Sequence, residues 1–338
     1  FSGAGRQTTR ESDPSLPNVF SVLTAFEPRD RRYDLELTLA DNVNLLSTAD
    51  VDRASVKYSF ENLTLELGRR PHAWGNAMIF PVLDIFTPFR PLAINTEYRS
   101  GLDMAHVSWA LSEGVNAEAG HIFRDYVADE GDNDSSIFRL QRVFYGSELE
   151  VQAMFARHYG GEMFAGAALV SLFDGVLRTE ISSLEVVHDR ELSCLVNFDT
   201  SWDSFSYPTY AFIEFYHSGF GLPDAADLLA DATIRERFSR GETFTIARNA
   251  IGAGSKVDFT ETVSIGLSAV ANLDDSSGMS QGTVFYDLLQ DVELTSGISV
   301  PWGERGTEFG GVSVAQDLYL SPGMVFFVKL SVYGLFFG

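Results

Sequence analysis

Cysteine is almost missing: Cys194 is the only one in 338 residues. That excludes an internal disulfide, and no CxxC or Cys/His spacing for zinc is present. Cations are scarce as well, with 24 Lys and Arg against 47 Asp and Glu, a formal charge of −23. Phosphate contact needs clustered cations, so nucleic acid is excluded as a partner, as is adsorption to an anionic lipid surface through a basic patch. No apolar run reaches the roughly eighteen residues of a membrane-spanning helix. GxSxG, HExxH, GxGxxG and P-loop motifs are absent. The six histidines (His72, His106, His121, His158, His188 and His217) lie in separate segments without ligand spacing. No enzyme activity, metal or cofactor is therefore expected. No basic-then-apolar leader precedes FSGAGRQTTRESDPSLPN, which reads as the flexible start of a mature or trimmed chain.

What is abundant is aromatic and alternating. Phe numbers 27, hydrophobic residues make up 45% and mean hydropathy is zero, a composition that can bury surface and is not that of a disordered polymer. In YDLELTL, Tyr33, Leu35, Leu37 and Leu39 oppose Asp34, Glu36 and Thr38. In NLTLELGR, Leu63, Leu65 and Leu67 oppose Thr64, Glu66 and Gly68. ELEVQAMF, KVDFTETVSIGLSA and DVELTSGISV repeat the pattern. Period two with one apolar and one polar face is a β-strand signature. Many of these strands reach about ten residues, against the usual five or six.

The links between strands fall into two alternating kinds. Short ones lie at 60–62, 112–114, 145–148, 173–175, 253–256 and 289–291, with a longer member at 200–206. The other kind holds every long or acidic connection: 44–52, 73–98, 125–136, 158–162, 187–191, 218–241, 273–280 and 302–321. Short turns at one end and long loops at the other are the layout of an outer-membrane barrel. The fold class expected is all-β, a transmembrane antiparallel up-and-down β-barrel of about sixteen strands. The first strand is placed near 33–43 and the last at 322–337, so residues 33–338 form the barrel. Residues 1–32 are left as a periplasmic arm or lumen insert, although NVFSVLTAFEP (18–28) also reads as an extra strand.

The closing stretch, MVFFVKLSVYGLFF, sharpens this. Phe326, Val328, Leu330, Val332 and Phe336 share a face suited to lipid, and Lys329 shares the other with Phe327, Ser331 and Tyr333. Facing hydrocarbon at mid-membrane, Lys329 would cost roughly 2–4 kcal/mol, so it is expected in the lumen. Tyr333, Leu335 and Phe337 resemble the assembly signal of outer-membrane proteins, with Gly338 trailing the usual final aromatic. A closing strand of a soluble sandwich is the competing reading.

The densest constellation spans 68–103. It resembles a pattern of porin-like outer-membrane barrels: Gly68 and Arg69, Trp74 and Gly75, Pro81 with Asp84, Phe86 and Pro88, then Tyr98, Arg99, Gly101 and Asp103. The resemblance implies a channel and names no solute. A link this apolar is not expected to hang in water. It is expected to fold into the lumen over 73–98 as a constriction or plug, presenting Arg69, Arg70, Arg90 and Arg99 near Asp84; these arginines either set a transverse field or pair with carboxylates to hold the loop.

The wall expected to face the lumen carries Glu36, Glu66, Glu118, Glu148, Glu150, Asp258 and Glu293 beside Lys329. Carboxylate rings favour cations, whereas pairing with arginines would neutralise them. Helical spacing in 222–242, with Pro223 and Gly241 at its ends, predicts a loop helix over the barrel mouth. The function expected is an outer-membrane porin-like channel for small hydrophilic solutes, mildly cation-preferring. The alternative is a plugged structural barrel anchoring an envelope assembly. Partners expected are outer-membrane lipid and lipopolysaccharide, the outer-membrane assembly machinery, and further copies of the chain or envelope proteins.

Overall fold

A computed structural model describes residues 5–6, 31–33, 35–42, 45–51, 53–86, 101–124, 133–315 and 318–333. Three strands form a small sheet: β1 (Gly5–Arg6), β2 (Glu36–Asn42) and β3 (Leu45–Asp50). The main sheet begins with β4 (Ala54–Phe60), β5 (Leu63–Arg70), β6 (Leu102–Ser112), β7 (Val115–Ile122) and β8 (Ser135–Phe144). It continues through β9 (Leu149–His158), β10 (Gly161–Leu172), β11 (Gly175–Val186), β12 (Asp189–Ser204) and β13 (Tyr207–Ser218). After a 3-10 turn (Ala225–Leu229) and helix α1 (Ala232–Ser239) come β14 (Asn249–Asp258), β15 (Val263–Asn272), β16 (Ser277–Leu289) and β17 (Val292–Trp302). A hairpin of β18 (Val312–Ala315) and β19 (Leu318–Leu320) precedes β20 (Val325–Val332).

β4 to β17 and then β20 make one fifteen-stranded sheet in which each strand pairs with its chain neighbours, always antiparallel. Two-residue turns such as Phe205–Ser206 and Phe173–Asp174 close one rim, with all four residues at positive φ. Insert, helix and the β18–β19 hairpin lie at the other. We call these the turn rim and the loop rim. None of the described helices is long and apolar enough to cross a membrane.

The alternation read from the sequence sets what faces where. On β9, Gln152, Met154, Ala156 and His158 are buried while Ala153, Phe155 and Arg157 point outward. The outer face is apolar around the sheet: Leu67 is 61% exposed, Phe138 51%, Ile213 50% and Val328 75%. Exposed aromatics gather at the turn rim, among them Phe60, Trp109, Tyr145, Phe173, Trp202, Phe205, Tyr286 and Tyr333.

The stretch near 33–43 is not the first strand of the main sheet. Its strand, β2, pairs with β3 instead. The physical reason lies in Arg69, whose guanidinium donates to the carbonyls of both Tyr33 and Val51 (2.9 Å to the latter) and so holds both ends of the β2–β3 hairpin at the loop rim. A segment that starts and finishes at one rim makes no net crossing. The expected loop helix is α1, capped by Asp231, whose side chain accepts from the Ile234 amide at 2.9 Å.

Candidate functional site

The link after β5 turns into the sheet's interior, and its described part, 71–86, has no regular secondary structure. Such a segment must find partners for its backbone N–H groups away from water. Seven consecutive ones are taken by three carboxylates. Asp84 accepts from Trp74 and from Gly75 (3.0 Å). Glu180 of β11 accepts from Asn76 and Ala77 (3.1 Å). Glu214 of β13 accepts from Met78, Ile79 and Phe80 at 2.8, 2.9 and 2.7 Å. The Trp74 carbonyl is held from the wall too, by Arg139 (3.2 Å) and Gln152 (3.3 Å).

With its backbone secured, the insert buries its side chains. Trp74, Ile79, Phe80, Val82, Leu83, Ile85 and Phe86 are each at most 5% exposed. They share one core with Met104, Ile122, Ile137, Met154, Met163, Leu184, Leu195, Tyr216, Ala250 and Val270, one residue from each of β6 to β15. Phe80 stacks on Tyr216 with ring centroids 4.9 Å apart. The insert thus shares one core with ten successive strands of the fifteen-stranded sheet. Two wall glycines make the approach close. A Cβ at Gly252 would lie 2.3 Å from Ile79, and one at Gly120 would lie 3.1 Å from Trp74.

At the foot of the insert is a charge cluster. Arg139 donates to Glu118 at 2.8 Å, and Arg70 to Glu66 at 2.6 Å. His72 and His106 bring their Nε2 atoms within 3.7 and 3.5 Å of Glu118, so the three side chains form a compact donor set. Arg70 lies against both Nδ1 atoms, at 3.0 Å from His72 and 3.3 Å from His106. A guanidinium only donates, so each neutral ring keeps its proton on Nε2, aimed at the carboxylate. A metal ligand would need that lone pair free. The cluster is thus a set of donors converging on Glu118.

Nearer the turn rim the inner face is polar and wetter. Arg178 pairs with Asp199, Gln141 donates to Glu150 (2.6 Å), and Lys256 lies 3.6 Å from Asp258, these last two being 49% and 46% exposed. Glu293 accepts from Thr295 at 2.6 Å, and Lys329 lies directly opposite Thr295 on the same inner face. Glu148 sits in the turn before β9, where it lines a recess of about 510 Å³ with Asp174 and Asp199.

Above the insert, the loop rim is capped by α1 and its flanks. Glu242, fully buried, receives His158 at 3.3 Å, Arg237 at 3.1 Å and Arg240 at 3.5 Å. Burial alone would raise its pKa, but His158 and the two arginines hold it down at about 2. His158 in turn meets the Phe86 ring edge-on at 4.9 Å, so cap, wall and insert are one packed unit.

Two placements depart from the expected constriction. Arg69 lies on the outward side of β5, with Leu65 and Leu67, because alternation puts Glu66, Gly68 and Arg70 inward; it makes a bidentate pair with Asp103 at 2.8 and 3.0 Å. Asp84 faces the insert's own backbone amides. Arg70 stands on the inner face, against Glu66, His72 and His106. Arg90, Arg99, Leu335 and Phe337 lie outside the described residues, as does the side chain of Glu36. Glu180 and Glu214, which hold the insert, were not singled out from the sequence; the one available signal was a glutamate interrupting an apolar stretch, as in FIEFYHS.

No protein-family model matches the chain, and no curated protein matches it. Among solved structures it is similar to OccK10 (OpdN) of Pseudomonas aeruginosa, with 10% identity over 72% of this chain and 77% of that one, at a TM-score of 0.46. It is similar to OccK8 (OprE) of the same organism, with 7% identity, 73% and 75% coverage and a TM-score of 0.45. A BenF-like porin from Pseudomonas fluorescens gives 8% identity, 74% and 71% coverage and a TM-score of 0.46. At these values the likeness carries no weight for function.

Proposed function

We propose that the chain is a porin-like barrel of a Gram-negative outer membrane that passes small hydrophilic solutes, with the 71–86 insert as its main barrier. The membrane part rests on the outer face. Phe173 and Phe205 are 83% and 95% exposed at the turn rim, below a wall whose outward residues are apolar on strand after strand. In water such a surface would drive association, whereas at a bilayer interface exposed aromatics form the usual girdle. The channel part rests on the open, charged inner face below the insert. Because Glu66, Glu118, Asp199 and Asp258 each have a cationic partner, the cation preference is small and comes from Glu150, Glu293 and the acidic loops.

The apolar seal between insert and wall favours a second reading, a plugged barrel that anchors other envelope proteins. Swelling of proteoliposomes in sugars and amino acids of graded size separates the two. Slow uptake of the smallest solutes by the intact protein, with a sharp size cut-off, is expected of the channel. No uptake at any size, together with co-purifying envelope proteins, would overturn it in favour of the anchor.

A further inference from the structure

At the loop rim the outer face carries a row of polar side chains above the apolar wall. On the adjacent strands β7, β8 and β9, His121 lies opposite Ser136, and Ser136 lies opposite Arg157. All three share the outward side with Ala119, Phe138 and Phe155. Hydrogen bonds organise the row. Ser136 Oγ lies 2.9 Å from His121 Nδ1, and Asp134 Oδ2 lies 3.3 Å from His121 Nε2. The other oxygen of Asp134 accepts from the Arg124 amide at 2.8 Å, which fixes the carboxylate. An ionised carboxylate only accepts, so the neutral imidazole keeps its proton on Nε2 for Asp134. Nδ1 is then the lone pair that receives the serine hydroxyl. Nucleophile, base and orienting acid stand in sequence, and Ser136 is exposed to an incoming molecule.

We propose that Ser136, His121 and Asp134 are the triad of an acyl-ester hydrolase at the loop-rim edge of the outer face. Such a triad is recognised by geometry and roles, so it needs no GxSxG motif. Ser136 Oγ attacks the ester carbonyl carbon and its proton passes to His121 Nδ1. The C–O bond to the alcohol breaks, the alcohol leaves with that proton, and acyl-Ser136 remains. Water then attacks the acyl carbon and gives a proton to His121; the fatty acid leaves as Ser136 Oγ takes that proton back. Arg157, exposed and without an ion pair among the described residues, flanks Ser136 on the side away from His121. Its other neighbour, Glu162, is engaged by Arg190 at 3.4 Å. The Arg157 guanidinium is thus available to the carbonyl oxygen as it gains charge. One step toward mid-wall, Phe138, Phe155 and Phe164 form an exposed row, the last two with ring centroids 5.1 Å apart. A chain laid on this shelf brings its ester level with Ser136, so the substrate class is a long-chain acyl lipid. The choice of a lipid rests on the membrane reading; the triad does not.

The test uses the full chain in phosphatidylcholine vesicles, with flotation of the same sample reading insertion separately. A fluorophosphonate probe should label Ser136, located by peptide mass mapping, and free fatty acid should accumulate with time. Ser136→Ala should abolish both, whereas Ser108→Ala, on the inner face, should change neither. His121→Ala should slow labelling about 100-fold or more, as for loss of a general base. Arg157→Leu should lower kcat about 100-fold, with Arg157→Lys restoring part of it. Asp134→Asn should lower kcat with KM unchanged, a split that a merely structural role would not give. Protein that floats yet neither labels nor releases fatty acid would overturn the triad while the barrel stands. Labelling undiminished in Ser136→Ala would overturn it as well. Hydrolysis of soluble p-nitrophenyl butyrate without release of fatty acid would overturn the lipid as substrate. Protein that labels but does not float would overturn the membrane reading, and the lipid with it.

Discussion

The two halves of the interior are built by the same strands and differ in kind. On β9 the inward residues run from Glu150 near the turn rim through Gln152 to Met154, Ala156 and His158 near the loop rim. On β11 they run from Arg178 through Glu180 to Ser182, Leu184 and Val186. Below mid-height the inner face is charged and polar, from the largely buried Arg178–Asp199 pair to the half-exposed Lys256 and Asp258; above it the wall is apolar and closes on the insert. The switch means that an inward face need not be uniform: one strand can be polar and charged at one end and protein core at the other. The buried carboxylates mark the border, since Glu118, Glu180 and Glu214 stand at mid-height. Burying two of them, Glu180 and Glu214, is tolerable because each collects several backbone N–H groups, and hydrogen bonds to charged groups are the stronger kind.

The sharpest way to break the contrast is to remove the upper filling. Replacing 75–84 by a short Gly-Ser linker should raise single-channel conductance in planar bilayers at least about tenfold, in line with a lumen opened to the width of a roughly sixteen-stranded barrel. An unchanged conductance would mean that the insert is not the barrier. Single truncations come next. Phe80→Ala should cost about 3–5 kcal/mol and Leu83→Ala about 2–5 kcal/mol in urea unfolding, because each leaves a cavity in a packed core. Lys256→Ala in the wet half should cost less than about 1 kcal/mol, as for other exposed ion pairs. If the two halves responded equally, the distinction would fail.

Glu214→Gln keeps the shape but removes the charge that three amides share, and should cost about 1.5–3 kcal/mol by the same assay. Arg178→Ala leaves the largely buried Asp199 without its cation and should cost about 1–3 kcal/mol, and the reversal potential in a salt gradient should move toward cations. The smallest effect belongs to the loop rim. Glu308 accepts from Thr245 and from the Ile246 amide, both at 3.1 Å, and from Asn272 at 2.9 Å. Desolvation raises its pKa to about 7, with Asp275 adding to the rise. A raised acid binds its proton more tightly in the folded state, so its stabilisation is complete below the ordinary carboxylate range and is lost as pH rises through about 7. Protection factors for amide exchange at 304–311, which remove the intrinsic pH dependence of exchange, should therefore fall between pH 6 and 8 in the wild type and stay level in Glu308→Gln.

The wall was legible in the sequence because alternation reports directly which residues oppose one another, and β20 shows it: Phe326, Val328 and Leu330 are exposed on one face while Lys329 shares the other with buried Phe327. The same alternation, followed one step further, puts Arg69 beside Leu65 and Leu67 and out of the lumen. The first strand was misplaced because a rim hairpin and a wall strand both have one apolar face, and only the hold of Arg69 on Tyr33 and Val51 tells them apart. The carboxylate cradle left little trace. Its partners are backbone amides, which look the same in every residue, and Glu214 lies more than a hundred positions from Phe80.

Three of the four tryptophans offer the most direct check that the apolar outside meets lipid while the insert fills the inside. Trp74 is 1% exposed within the interior, whereas Trp109 and Trp202 stand on the outer face at 49% and 46%. In single-tryptophan variants reconstituted into vesicles of brominated phospholipid, Trp109 and Trp202 should be strongly quenched and Trp74 should not. Quenching of Trp74, or none at Trp109 and Trp202, would contradict the account.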